Sequence, residues 1–232
     1  MMTDFEKFAL SKGVSSLTLN DYNKANHQFG YINPNIIEER QMNAISIDVF
    51  SRLMAEKIIF IGCEICPESA NVVNAQLLYL NSICDKDDEC KIFINSPGGD
   101  CDSGLAIVDM MNFVEPDVST YIMGIAASMG SIIASSGARG KRYALPNSKI
   151  LIHQPMSGAR PGTQESDMKI VYEELRKCKE TLYKILSENT GKSVEEITKD
   201  ADRDHWLTAS ESLPGVYGEY GLIDEIIKKK KF

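Results

Sequence analysis

The sequence predicts an α/β fold, on three observations. Short apolar runs rich in β-branched residues alternate with longer runs of helical character, glycine-bearing turns follow the strand-like runs, and the alternation proceeds along the chain with no internal repeat. After a polar amino-terminal stretch, Ile58 to Gly62 reads as a strand and Ser69 to Ile83 as a helix. Lys91 to Ile94 is the next strand, followed by a helix over Ser103 to Val114. The strand Ser119 to Met123, apolar and β-prone over Tyr121 to Met123, leads to a helix of small or apolar residues, Ser131 to Ser136, which stops at Gly137. Strands near Arg142 to Ala144 and Ile150 to His153 come next. On the last long helix Met168, Val171, Leu175, Cys178, Leu182 and Ile185 recur at intervals of three and four, with Glu173, Glu174, Lys177 and Lys179 between them. That seam is too short for a coiled coil, and packing on the chain's own sheet accounts for it. A βαβ layering of this kind carries its site at strand ends.

Three segments at such ends carry chemistry. In Gly124-Ile125-Ala126-Ala127-Ser128-Met129-Gly130 a serine sits among tiny residues at a strand-to-helix turn, which exposes its hydroxyl and leaves room for a substrate backbone. The pattern is that of a G-x-S-x-G elbow with Ala126 in the first glycine position. Ser128 could equally serve as a helix cap. His153 ends an apolar strand just before Pro155, and its side chain is the type that takes a proton and returns it near neutral pH. A hydrogen-bonded structural histidine is the other reading. Ser96-Pro97-Gly98-Gly99 follows a strand and precedes a helix, so its backbone N–H groups can point at an anion. It lacks the spacing of a dinucleotide fingerprint or a P-loop, and suits an oxyanion donor or an ordinary turn.

Asn95-Ser96-Pro97-Gly98-Gly99, Ala126-Ala127-Ser128-Met129-Gly130 and His153-Gln154-Pro155, in that order, resemble the Clp protease proteolytic subunit family. Asp48 to Leu53, Ile58 to Gly62, Gly140 to Ser148, Gly191 to Ile197 and Asp202-Arg203-Asp204 extend the resemblance from about Pro34 to Ile227. It implies a crotonase-like βαβ spiral with a protruding helical handle at about residues 156–190, in one peptidase domain spanning 34–232. Residues 1–33 would be a leader or propeptide, or a small docking element. The implied triad is Ser128, His153 and Asp204, with Asp202 as rival to the last, and the implied oxyanion donors are the N–H groups of Gly99 and Met129. The resemblance further implies a self-compartmentalised serine endopeptidase built as two stacked seven-membered rings, the handle seam buried between them. Unfolded polypeptides would be delivered by an AAA+ unfoldase, with Phe93, Phe113, Tyr121, Met123 and Tyr143 as docking candidates, each also able to be plain core. No metal or organic cofactor is implied. Two departures from the family pattern, Arg160-Pro161 and Ser210 to Gly218, bear on substrate pairing and ring contacts. A crotonase-type acyl-CoA enzyme and a ring subunit without catalysis are the alternatives.

Composition narrows the partners. At 232 residues the chain suffices for one sizeable core, and its net charge of -8 disfavours nucleic acid, which needs a basic face. The one basic block, Lys228 to Lys231, reads as a solvated tail. No run is long and apolar enough to span a bilayer, and the start lacks the order of a secretory signal, so a cytoplasmic location is expected. Six cysteines in a chain of this length fit reduced thiols, and Cys63 with Cys66, lacking a second pair or a nearby histidine, is not read as a metal site.

Overall fold

The computed structural model describes residues 35–40, 43–158, 160–215 and 220–229. The expected leader over residues 1–33 lies outside these, as do parts of the Ser210 to Gly218 departure and of the terminal lysine block.

The chain falls into two compact units, Met1–Ser51 and Arg52–Phe232. In the first, β1 (Asn35–Arg40) and β2 (Asn43–Asp48) pair antiparallel, Asn35 opposite Asp48 and Arg40 opposite Asn43. The sequence reading missed this hairpin, because Ile36 and Ile37 are adjacent and give no alternation along β1. At its end Asp48 accepts a 3.0 Å bond from Ser51 N–H at the start of α1 (Val49–Ala55).

The second unit follows the expected alternation: β3 (Ile58–Ile61), α2 (Pro67–Ile83), β4 (Glu89–Ser96), α3 (Cys101–Phe113), β5 (Asp117–Ala127), α4 (Met129–Ser135), β6 (Arg142–Ala144) and β7 (Lys149–Ile152). Then come α5 (Glu165–Thr190), α6 (Val194–Asp200), β8 (His205–Thr208) and β9 (Glu225–Ile226). Most helices begin where a cap dictates. Cys66 N–H bonds Ser69 Oγ at 3.0 Å, which gives Cys66 a capping place at α2, and Asp100 Oδ1 accepts from Ser103 N–H at 2.8 Å at α3. The sequence reading did not assign α6, β8 or β9. Ser193 and Glu196 form a reciprocal capping box that marks α6, whereas β8 sets Trp206 and Leu207 side by side between His205 and Thr208 with no alternation, and β9 is two residues long.

The strands form one seven-stranded sheet in the order β3-β4-β5-β6-β9, with β7 also pairing β5 and β8 pairing β7. All pairs are parallel except β7 with β8. Its core face carries Ile59, Ile92, Ile122 and Ile150, none more than 1% exposed, each stabilising the fold by roughly 1.5–3 kcal/mol. β5 is the pivot. Its first half pairs β6 through Thr120 to Ile122, and its second half pairs β7 through Ile125 to Ala127. Gly124 stands at the change of partner with φ +80°, where a Cβ would lie 2.7 Å from Asn95 Oδ1, the atom that accepts Ile125 N–H at 3.2 Å. This bend carries β5 four residues past its expected end at Met123, directly to Ser128.

The seam on α5 divides. Leu182 is buried with Tyr183 and Leu186, and Cys178 and Ile185 pack against the core. At the amino-terminal end Met168 of the seam is 49% exposed and Val171 and Leu175 are half-buried, and Ile170 (62%) and Tyr172 (62%) beside the seam also meet solvent, so packing within the chain explains only the carboxyl-terminal part, where α5 rests on α4 and α6 rather than on the sheet. Among the described residues no helix is long and apolar enough to cross a membrane.

Candidate active site

Strand register alone brings three side chains to one place. Parallel pairing sets Ala127 beside Leu151, and Ser128 N–H continues the ladder to Leu151 O at 2.9 Å. Antiparallel pairing sets Ile152 opposite His205, so the residue after β7, His153, faces the residue before β8, Asp204. His153 Nε2 is 2.7 Å from Ser128 Oγ, and His153 Nδ1 is 3.2 Å from Asp204 Oδ1. An ionised carboxylate only accepts, so Nδ1 carries the proton and Nε2 is left to accept the Ser128 hydroxyl hydrogen. The imidazole is largely enclosed (13% exposed) and the carboxylate open (65%). Asp202 is set apart from Asp204 by what it touches: its carbonyl accepts Gln154 Nε2 at 2.8 Å, and its carboxylate lies 3.9 Å from Arg203.

Ser128 has φ 53° and ψ -122°, a conformation that costs an L-residue about 1–3 kcal/mol. The ladder bond on one side and Ser131 N–H on Ser128 O (2.9 Å) on the other hold it there. Its hydroxyl makes no cap bond and points to the imidazole, which removes the helix-cap reading.

The glycine loop lies against the same turn. A Cβ on Gly98 would come within 2.5 Å of Ala127 O, 2.8 Å of Ser128 Cβ and 2.9 Å of Met129 N. Ile65 bonds on either side of Gly99, accepting Asp100 N–H and donating to Gly98 O, both at 2.8 Å. The N–H groups of Gly99 and Met129 are left without an acceptor among the described residues. Two free donors beside a serine hydroxyl can receive charge as it develops on an attacked carbonyl oxygen.

A hydroxyl, an imidazole and a carboxylate in series, with donors alongside, form the constellation for acyl transfer. The sequence model of a family described as Clp protease matches residues 40–230. The chain belongs to the Clp protease family. It is 47% identical over 230 residues, 99% of this chain and 100% of the relative, to the ATP-dependent Clp protease proteolytic subunit of Bacteroides fragilis strain YCH46. The subunits so named from Porphyromonas gingivalis (46% identical; 99% of this chain, 100% of the relative) and Streptococcus sanguinis (51% identical; 84% and 96%) are also similar. The similarity to the Bacteroides protein thus extends beyond the span from Pro34 to Ile227. Neither an acyl-CoA enzyme nor a subunit without catalysis is favoured by these likenesses.

Within this Clp protease chain, residues that the sequence reading passed over also meet the site. Gln154, and an apolar pocket beside Ser128 and His153 to which Ile132, Pro155, Leu182, Leu186 and the Met129 side chain contribute, were given no place at the site. Leu182 was assigned to a helical seam, and only the fold reveals that α5 closes the pocket. Of the five docking candidates, three form a ledge across β4, β5 and β6: Phe93 stacks on Tyr121 at 4.6 Å, and Tyr121 meets Tyr143 at 4.8 Å. Burial pushes both tyrosine hydroxyls up from their usual pKa. Met123 is partly buried further along β5, and Phe113 is 71% exposed at the end of α3. Seven residues of strand, on the order of 20 Å, separate Tyr121 from Ser128. Between His153 and α5 none of the described residues lies in a strand, and Thr163 N–H closes a turn on Arg160 O at 3.1 Å over Pro161.

Proposed function

We propose that this chain is the proteolytic subunit of a Clp protease, a serine endopeptidase in which Ser128 is the nucleophile, His153 the base and Asp204 the orienting acid. The observation that carries the reading is the 2.7 Å approach of Ser128 Oγ to His153 Nε2 while Asp204 occupies the other ring nitrogen. In this scheme the Ser128 oxygen bonds to the peptide carbonyl carbon as its proton passes to Nε2. The N–H groups of Gly99 and Met129 receive the oxyanion. The same proton then goes to the leaving amine, and water, deprotonated by His153, releases the acyl group from Ser128. Asp204 stabilises the imidazolium formed in each half. The scheme calls for no metal or organic cofactor.

The ATP dependence in the relatives' names supports a Clp ATPase as partner. The finer proposal is an AAA+ unfoldase that docks at the ledge of Phe93, Tyr121 and Tyr143, with Met123 and Phe113 as further contacts, and feeds unfolded polypeptide. Assembly as two stacked seven-membered rings, a handle over residues 156–190, a leader over 1–33 and a cytoplasmic location belong to the same proposal. The uncovered apolar residues of α5 support the handle.

A fluorophosphonate probe tests the core of it. The assembled protein should take one covalent adduct on Ser128 by peptide mapping, absent in Ser128→Ala and strongly reduced in His153→Ala. A correctly assembled wild type that stays unlabelled overturns the proposal.

A further inference from the structure

The Asp204 carboxylate is 65% exposed, and among the described residues its one hydrogen-bond partner is His153. Something other than its own contacts must therefore set its position, and that is the four-residue segment from Ala201 to Asp204 between α6 and β8. Two bridges hold this segment. Gln154, the residue after the base, donates its Nε2 to Asp202 O at 2.8 Å. Tyr183 on α5 donates its hydroxyl to Ala201 O at 3.4 Å. Lys179, one turn before Tyr183, donates Nζ to Gln154 Oε1 at 3.3 Å and lies 5.2 Å from the Tyr183 ring centre. A lysine can only donate, so it keeps the amide oxygen of Gln154 facing α5 and its NH2 facing Asp202 O; the reverse orientation would oppose donor to donor and acceptor to acceptor.

We infer that Gln154 is a positioning residue that braces the acid segment against the base-bearing strand end, with Lys179 of α5 setting its orientation. The inference rests on the proposed triad. Gln154 touches no reacting atom; it acts through Asp204 on His153. The backbone positions of His153 and Asp204 are thereby tied to each other, and both to the helix that closes the pocket beside Ser128.

The test is steady-state hydrolysis of a short fluorogenic peptide by the full chain in its assembled form. Gln154→Glu is isosteric but cannot donate to a carbonyl, and is expected to lower kcat about 10-fold with KM within about 2-fold, as is Gln154→Ala. Lys179→Met keeps the aliphatic stem and is expected to lower kcat about 3-fold. In an Asp204→Asn background Gln154→Ala should cost less than about 2-fold more, because there is no carboxylate left to place. The idea is overturned if Gln154→Glu retains wild-type kcat, if the change falls on KM alone, if the loss repeats undiminished in Asp204→Asn, or if it tracks lost assembly in size-exclusion chromatography. Failure of the triad reading itself looks different: Asp204→Asn alone would then leave kcat unchanged.

Discussion

Ser128 shows how much a single residue's backbone decides here. Its hydroxyl reaches His153 because φ is held at 53°, and the turn that holds it is packed against Gly98, whose own φ is +91°. A methyl group at Gly98 would strike Ala127 O and Met129 N, both backbone atoms, so relief requires the turn itself to move. Gly98→Ala should therefore lower kcat at least about 100-fold, a misplacement effect, and cost about 1–3 kcal/mol in stability. Peptide hydrolysis and thermal melts check both, and wild-type turnover in the variant would show that the glycine loop does not abut the nucleophile. The sequence made Ser128, His153 and the glycine loop visible as small-residue and strand-end signals. Asp204 was not visible in that way. It stands among Asp202, Arg203 and His205 in a polar turn, and its place beside His153 comes from the antiparallel pairing of β7 with β8, a contact across 51 residues.

Among the elements, β6 is joined to its surroundings by one buried cation. Arg142 is almost fully enclosed and bonds Asp224 through Nε at 2.9 Å and Nη2 at 2.6 Å, while Nη1 reaches Asn189 O at 2.8 Å near the end of α5. Burial alone would raise the Asp224 carboxyl, but its hydrogen bonds from Arg142 outweigh this and hold it below the usual carboxylate range. A carboxylate so depressed adds stability that is complete above its unfolded value near ~4 and is lost as pH falls through the lower folded value. Asp224→Asn strands the guanidinium and should cost roughly 3 kcal/mol at pH 7, with a stability profile flatter than wild type's below about pH 4. Melting curves at pH 7, 5 and 3 decide it; equal slopes in variant and wild type would mean that Asp224 is no better held than a surface acid. The long helices and buried strands were legible because their apolar periods are sustained. The hairpin of β1 and β2, and the strands β8 and β9, were not, since their few apolar residues lie among polar ones and form neither a sustained apolar run nor a regular period.

At the scale of the whole molecule, the two ends of α5 differ in what covers them. Its carboxyl-terminal turns close the pocket at Ser128, while Met168, Ile170 and Tyr172 remain uncovered in a single chain. Under the proposed ring assembly these bury against a second copy, each worth up to about 1.5–3 kcal/mol. Met168→Asp with Tyr172→Asp should leave the subunit's fold stability within about 0.5 kcal/mol yet halve the sedimenting particle. A double variant that sediments as wild type would remove the handle from the interface. The sequence by itself determined the α/β alternation, the family, and Ser128 and His153 as candidate site residues, because these are written in local pattern and in motifs of fixed order. The tertiary structure decided which carboxylate faces the imidazole, where β5 changes partner, and which part of α5 is core. Each of these depends on register between distant strands or on which neighbour covers a face, and neither is set by residues adjacent in the chain.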